Sequence, residues 1–248
     1  VLTHTPMFTD NELTHLTTLQ ERYLKNTRDY PDALYQKEIE RLTIELSWKS
    51  SQIEGNTYSL LETERLFKEK QAVDSKPKED ATMLLNHKEA FSYLLEHRDV
   101  AQHLSLRFIE ELHSLLIQDL DVGKNLRSRM VGITGTSYKP LDNQHQIRDA
   151  MEAVCNLINA KANGFEKALL AVVLISYIQP FEDGNKRTGR LLGNALLLAH
   201  QGCPLSYRSV DSLEYKKAML LFYEQNNLSA FKHLFLEQIA FSVNTYFQ

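Results

Sequence analysis

Residues 166–190 read EKALLAVVLISYIQPFEDGNKRTGR, and the fold turns on this stretch. Its first part, Glu166 to Ile178, is apolar around most of a helix's circumference, which predicts a central, buried helix. Pro180 ends that helix, because the residue before a proline resists the α conformation. The remainder, Gln179 to Arg190, mixes two acids, two glycines and three cations and predicts a turn into a second helix, Thr188 to His200. A glycine at a helix start lets backbone N–H groups converge on an anion, and the helix dipole adds favourable potential there. Gly184 and Asn185 hold that place. Arg187 and Arg190, at i and i+3, share a face and offer forked donors to separate phosphate oxygens. Asp183 is suited to Mg2+, which enters such sites through a carboxylate plus substrate phosphates. The same spacing equally suits a solvated charged loop with an Asp183–Arg187 ion pair.

Working outward, Tyr35 to Ser51 carries Ile39, Leu42 and Leu46 at helical spacing and stops at Gly55-Asn56. Further helices are predicted over Thr57–Lys70, Ala81–His97, Ser105–Leu120, Ile147–Ala162, Ser212–Gln225 and Ala230–Thr245, with another opened by Thr9-Asp10. Gln71 to Asp80 reads as a polar connector. Asp121 to Asn143 breaks the pattern: Gly123, Gly132, Gly135 and Pro140 alternate with strand formers Val131, Ile133 and Tyr138, predicting a short β-hairpin. The fold class is all-α with one small β-hairpin.

Composition agrees. Nine glycines and six prolines in 248 residues fall well below average usage, which favours long helices. The net charge of −4 provides no global footprint for nucleic acid or an anionic membrane. The longest strictly apolar run, Ala168 to Ile175, is far short of the ~20 residues a membrane span needs. The opening VLTHTPMFTD has neither a basic n-region nor an apolar h-region, so no signal peptide is expected, although it also lacks an initiating Met. Cys155 and Cys203 are too few for a disulfide framework and lack metal-ligand spacing. A reducing, cytoplasmic setting is the expectation.

QPFEDGNKRTGR (Gln179 to Arg190) resembles the signature of Fic proteins, His-x-Phe-x-(Asp/Glu)-Gly-Asn-x-Arg-x-x-Arg, at every defined position but the first. Ser50 to Gly55 resembles that family's inhibitory motif, (Ser/Thr)-x-x-x-Glu-(Gly/Asn), and Ile133 to Pro140 resembles its flap, preceded by a Gly-x-x-x-Arg element, Gly123 to Arg127. The resemblance spans roughly Tyr35 to Phe235. It implies an N-terminal helical region (1–80) with an inhibitory helix, a Fic core (81–248), and transfer of AMP from ATP, with Mg2+, to a Tyr, Thr or Ser hydroxyl of a target protein. Carried over, Asp183 binds the metal, Gly184 and Asn185 form the anion hole, and Arg187 holds the β-phosphate, with Lys186 in the nucleotide-binding set. Arg190 holds the γ-phosphate or pairs with Glu54 at rest. Phe181 anchors the loop, while Ile133, Thr134, Gly135 and Thr136 of the flap pair with the target's extended backbone. Tyr215 and Tyr223 form an adenine wall or, alternatively, ordinary core; Tyr177, Met219, Phe222 and Phe231 read as packing.

The departure is Gln179, where the family has a histidine that takes the proton from the attacking hydroxyl. A carboxamide cannot do so near neutral pH, and general base catalysis contributes about 10² to 10⁴ in rate. Transfer is therefore expected to be strongly impaired while nucleotide binding survives. A divergent natural residue, an introduced change, and altered chemistry with another base all remain open; His145, just beyond the flap, suits a solvated loop better than that role. Glu54, if it meets Arg190, occupies the fork the γ-phosphate would use; its alternative is a solvent-facing helix end. Ser50, one turn earlier, either helps hold that helix or fills its face. Gly55 suits a left-handed stop that turns the carboxylate inward. Two other readings stand alongside: an inactive nucleotide-binding interaction module, and a hydrolase removing AMP from a modified target through Glu54. Nothing in the chain resembles a nucleic-acid-binding module, and homo-oligomerisation is left open.

Overall fold

The computed structural model describes residues 4–248; the first three residues of the segment read for a leader lie outside it. Ten α-helices follow in order: α1 (Asp10–Arg28), α2 (Asp32–Ile53), α3 (Leu60–Glu69), α4 (Lys78–Glu96), α5 (Leu106–Leu116), α6 (Gln144–Ala160), α7 (Gly164–Ile178), α8 (Asn185–Ala199), α9 (Ser212–Gln225) and α10 (Ser229–Tyr246), with a 3₁₀ turn at Arg98–Ala101. Local chemistry sets several boundaries. Thr9 and Ser59 close capping boxes with Glu12 and Glu62, and Asn163 and Asp211 accept from the first N–H groups of α7 and α9. The Ser59 cap delays α3 past the expected Thr57.

α7 is the buried centre, its apolar run inside except for the partly buried Leu174, and it packs most extensively against α8. That pairing is close because a Cβ on Gly189 would lie 3.0 Å from the Val172 carbonyl oxygen and one on Gly193 2.8 Å from Val172 Cγ2. Around this pair, α1 packs on α10, α2 on α4 and α9, and α5 on α8. A small second cluster of Ile44, Tyr58, Leu66, Phe67, Ala81 and Leu84 joins α2, α3 and α4. No described helix is long and apolar enough to cross a membrane. Both cysteines are buried and free.

The expected β-hairpin is absent: no strand occurs among the described residues. The polar groups of the segment find partners outside it. Thr136 Oγ1 and the Ser137 N–H both donate to Glu224 of α9, the latter at 2.7 Å, and Tyr138 Oη donates to the Tyr177 carbonyl at 3.1 Å. Tyr138 also stacks on Tyr177, with centroids 4.3 Å apart. Alternation reads strand-forming tendency, but here contacts with α7 and α9 outweigh a cross-strand ladder.

Candidate functional site: the turn between α7 and α8

The two ends of the α7–α8 turn are left-handed. Gln179 closes α7 at φ 51°, and Gly184 opens α8 at φ 79°. α8 therefore starts three residues before the expected Thr188, with Thr188 donating through both N–H and Oγ1 to the Gly184 carbonyl. Gly184 has no side chain with which to cap the helix. Asn185 turns its amide back instead, accepting from Phe181 N–H at 2.8 Å and donating to the Phe181 and Gln179 oxygens at 2.9 and 3.0 Å. The first N–H groups of α8 are thus left without intrahelical acceptors, and their residues line a cleft of about 470 Å³.

Buried side chains hold the turn from behind. Phe181 is fully buried and stacks face to face on His113 of α5, centroids 3.6 Å apart. His113 Nε2 donates to the Asp183 carbonyl at 3.0 Å, and burial pushes this imidazole down to about 4, so it is neutral at pH 7. Arg127, also buried, donates to the carbonyls of Gln179 (2.6 Å), Arg129 (2.8 Å) and Leu141, while its own N–H reaches the Pro180 carbonyl at 3.0 Å. The sequence reading named Arg127 without giving it this role and missed His113, whose position among Phe108, Leu112 and Leu116 disguises it as a core residue.

Charges converge at the mouth. Asp183 is 63% exposed and pairs with Arg187 at 2.9 Å, the ion pair that spacing alone had allowed. Arg187 and Arg190 are fully buried. Among the described residues, Arg187 Nε and Nη1 and Arg190 Nη1 have no partner, an unusual state for buried guanidinium donors. Arg190 donates through Nε to Ser50 Oγ (2.9 Å) and through Nη2 to the Ser50 carbonyl (2.8 Å) and Glu54 Oε1 (2.9 Å). Glu54 caps α2, followed by Gly55 at φ +101°, and turns inward. Its second oxygen accepts from Lys186 Nζ at 3.4 Å. Burial pushes the Glu54 carboxyl up, but Arg190 and Lys186 outweigh this and hold it below the usual carboxylate range.

Gln179 lies in the same cleft, but its carboxamide is engaged on both sides, donating to the Ser176 carbonyl at 2.6 Å and accepting from Asn185. Tyr215 and Tyr223 are buried and line the cleft, Tyr215 with Arg190 Cζ 5.2 Å from its ring centroid. Met219, read as packing, lines it too, as do Ile53, Leu213 and Lys216. Of the flap residues, Ile133 and Thr134 face the cleft, whereas Gly135 packs on Leu220 and Thr136 is tied to Glu224. His145 sits exposed on the first turn of α6, away from the cleft. Among the described residues, no group of three or more His, Cys, Asp or Glu is arranged to hold a metal. Asp183 does fit Mg2+ in its sparser mode, one exposed carboxylate awaiting phosphate ligands.

Comparison with known proteins matches residues 103–197, from before α5 nearly to the end of α8, to the Fic/DOC family. Over these residues the chain is similar to a Fic/DOC domain. "Protein adenylyltransferase Fic" of Nematostella vectensis is 27% identical over 172 residues, 68% of this chain and 40% of that protein. The chain spans less than half the length of the curated relatives it matches. The Fic/DOC fold extends across nearly all of it. Fic-1 from C. elegans superposes with a TM-score of 0.78 at 18% identity, covering 95% of this chain and 71% of that one. A Fic domain containing signaling protein from Bacteroides thetaiotaomicron also scores 0.78, at 20% identity, covering 94% and 96%.

Proposed function

We propose that the cleft takes the triphosphate of ATP at the amino end of α8 and that the protein is an adenylyltransferase toward a hydroxyl of a target protein, restrained by Glu54 and slowed by Gln179. The observation that carries this reading is the set of donors at one helix start: uncapped N–H groups beside two buried arginines with free N–H bonds, and a carboxylate from α2 already lodged there. Such donors are satisfied by an anion. In this reading residues 1–80 bring the inhibitory helix to the core at 81–248.

The roles follow from position. The N–H groups of Asn185 to Arg187 cradle phosphate oxygens, with Lys186 beside them. Arg187 holds the β-phosphate and Arg190 the γ-phosphate once Glu54 leaves. Tyr215 and Tyr223, with Met219, supply an apolar wall for the base. Mg2+ on Asp183, when bound, neutralises charge on the phosphates. Ile133 and Thr134 face the place where the target's hydroxyl enters. In the transfer, the hydroxyl oxygen bonds to the α-phosphorus, the bond to the pyrophosphate oxygen breaks, and the hydroxyl proton must leave. Gln179 has no basic lone pair for that proton. Supplying a base there is worth roughly 10² to 10⁴ in rate.

Labelled ATP tests this directly. Glu54→Ala together with Gln179→His is expected to label itself or target proteins, whereas Glu54→Ala alone labels them at least a hundredfold more slowly. Labelling by the unaltered chain at the rate of the double variant would refute the assignment of Gln179. A second reading, a nucleotide-binding module without turnover, is favoured by the engaged carboxamide of Gln179. It predicts calorimetric ATP binding by Glu54→Ala with no transfer in either background.

A further inference from the structure

Glu54 is held by two cations that differ in kind. Arg190 is fully buried and fastened by Ser50 through both Nε and Nη2, so its position belongs to the framework of α2 and α8. Lys186 has no such fastening. Its side chain is 24% exposed, its bond to Glu54 Oε2 is 3.4 Å, and it lines the cleft one residue into α8, beside the open N–H groups. Charge-assisted N–H···O bonds of full strength are about 2.7–2.9 Å. Arg190–Glu54 meets that length and Lys186–Glu54 does not. A lysine ammonium on a flexible stem can also change partner without moving the backbone, as a fixed guanidinium cannot.

Resting on the nucleotide reading of the cleft, we propose that Lys186 is a shared contact. It holds Glu54 at rest and passes to the terminal phosphates when a triphosphate enters, so it both loosens the α2 lock and discriminates by phosphate number. Once Lys186 is on a phosphate, Glu54 keeps only Arg190, and the entering γ-phosphate competes for that same guanidinium. A nucleotide carrying fewer phosphates leaves Lys186 where it is, and the lock stays doubly held. The lysine thereby makes opening of the site depend on the charge of the ligand as well as on its fit.

The test is isothermal titration of ATP, ADP and AMP, each with Mg2+, into Glu54→Ala and into Glu54→Ala/Lys186→Met. ATP is expected to bind about tenfold more weakly to the double variant, the effect of one charged phosphate contact, while AMP changes less than about twofold. Lys186→Arg in the same background restores ATP affinity to within about threefold. In chains keeping Glu54, Lys186→Met alters ATP affinity by less than about threefold, because it removes a phosphate contact and a hold on Glu54 together. Equal weakening of ATP, ADP and AMP, or unchanged ATP affinity in the Glu54→Ala background, overturns this inference alone. Absence of ATP binding by Glu54→Ala itself overturns the nucleotide reading and this inference with it.

Discussion

Replacing Glu54 by alanine removes the carboxylate that neutralises a fully buried arginine. Breaking a wholly buried ion pair from one side costs about 3–5 kcal/mol, because the remaining charge is left uncompensated. Two features reduce that cost here: Glu54 is 19% exposed, and Arg190 keeps both bonds to Ser50. The expected loss is therefore about 2 kcal/mol. At ~2.1 cal/mol/K of unfolding entropy per residue, this lowers the melting temperature of a chain of this length by about 4 °C. The nucleotide should reverse it, since a phosphate takes the vacated place. At a hundredfold excess over Kd, ATP adds about 2.7 kcal/mol to a protein that binds only when folded. Thermal unfolding of both chains with and without ATP and Mg2+ checks the argument. The expected result is a lower melting temperature for Glu54→Ala without nucleotide and a larger ATP-induced rise than in the unaltered chain. Equal melting temperatures, together with equal responses to ATP, would show that Glu54 and the nucleotide do not compete for Arg190.

Gly184→Ala should cost about 1–2 kcal/mol through backbone strain alone, since φ is +79° and the added Cβ meets its neighbours at an ordinary 3.5 Å; urea denaturation measures it. Arg127→Met leaves the Gln179, Arg129 and Leu141 carbonyls without their donor and should lower stability by about 3 kcal/mol, with Lys restoring only part because it lacks the planar fork. Burial holds His87 down at about 3, so the folded chain resists a proton that the unfolded chain accepts below 6.5. Stability present above pH 6.5 is then lost as the pH falls toward 3, by about 2 kcal/mol between 6.5 and 5, and His87→Leu should flatten that slope in denaturation curves. Glu54, whose carboxyl lies below its ordinary value, keeps its charge down to about pH 4.5 and gives it up only as the pH drops through its lowered folded-state value, so its own hold on Arg190 should not vary between pH 5 and 8, and any pH dependence of competition there comes from the terminal phosphate.

The helical architecture was legible because its signals are local: the apolar circumference of α7, the break at Pro180, and the helical spacing of Ile39, Leu42 and Leu46 in α2. That Gly184, Asn185, Arg187 and Arg190 meet at one helix start was legible for the same reason, since they stand within two turns of each other. The expected hairpin failed because alternation in Val131, Ile133 and Tyr138 says nothing of Glu224 and Tyr177, which are distant in sequence and take up the segment's polar groups and ring. Lys186 and His113 were hard to weigh for a related reason. Lys186 derives its meaning from Glu54, 132 residues upstream, and His113 from stacking on Phe181 where α5 meets the α7–α8 turn.

A single guanidinium fastens both ends of a surface loop. Because Arg127 grips the carbonyls of Arg129 and Leu141 as well as that of Gln179, the intervening chain can be exchanged like a tool bit in a fixed chuck. Under the proposed function, changes in its length or side chains would redirect which polypeptides are accepted while the turn at Gly184 keeps its shape. Recognition and chemistry would then fall to separate stretches of the chain, joined at one residue.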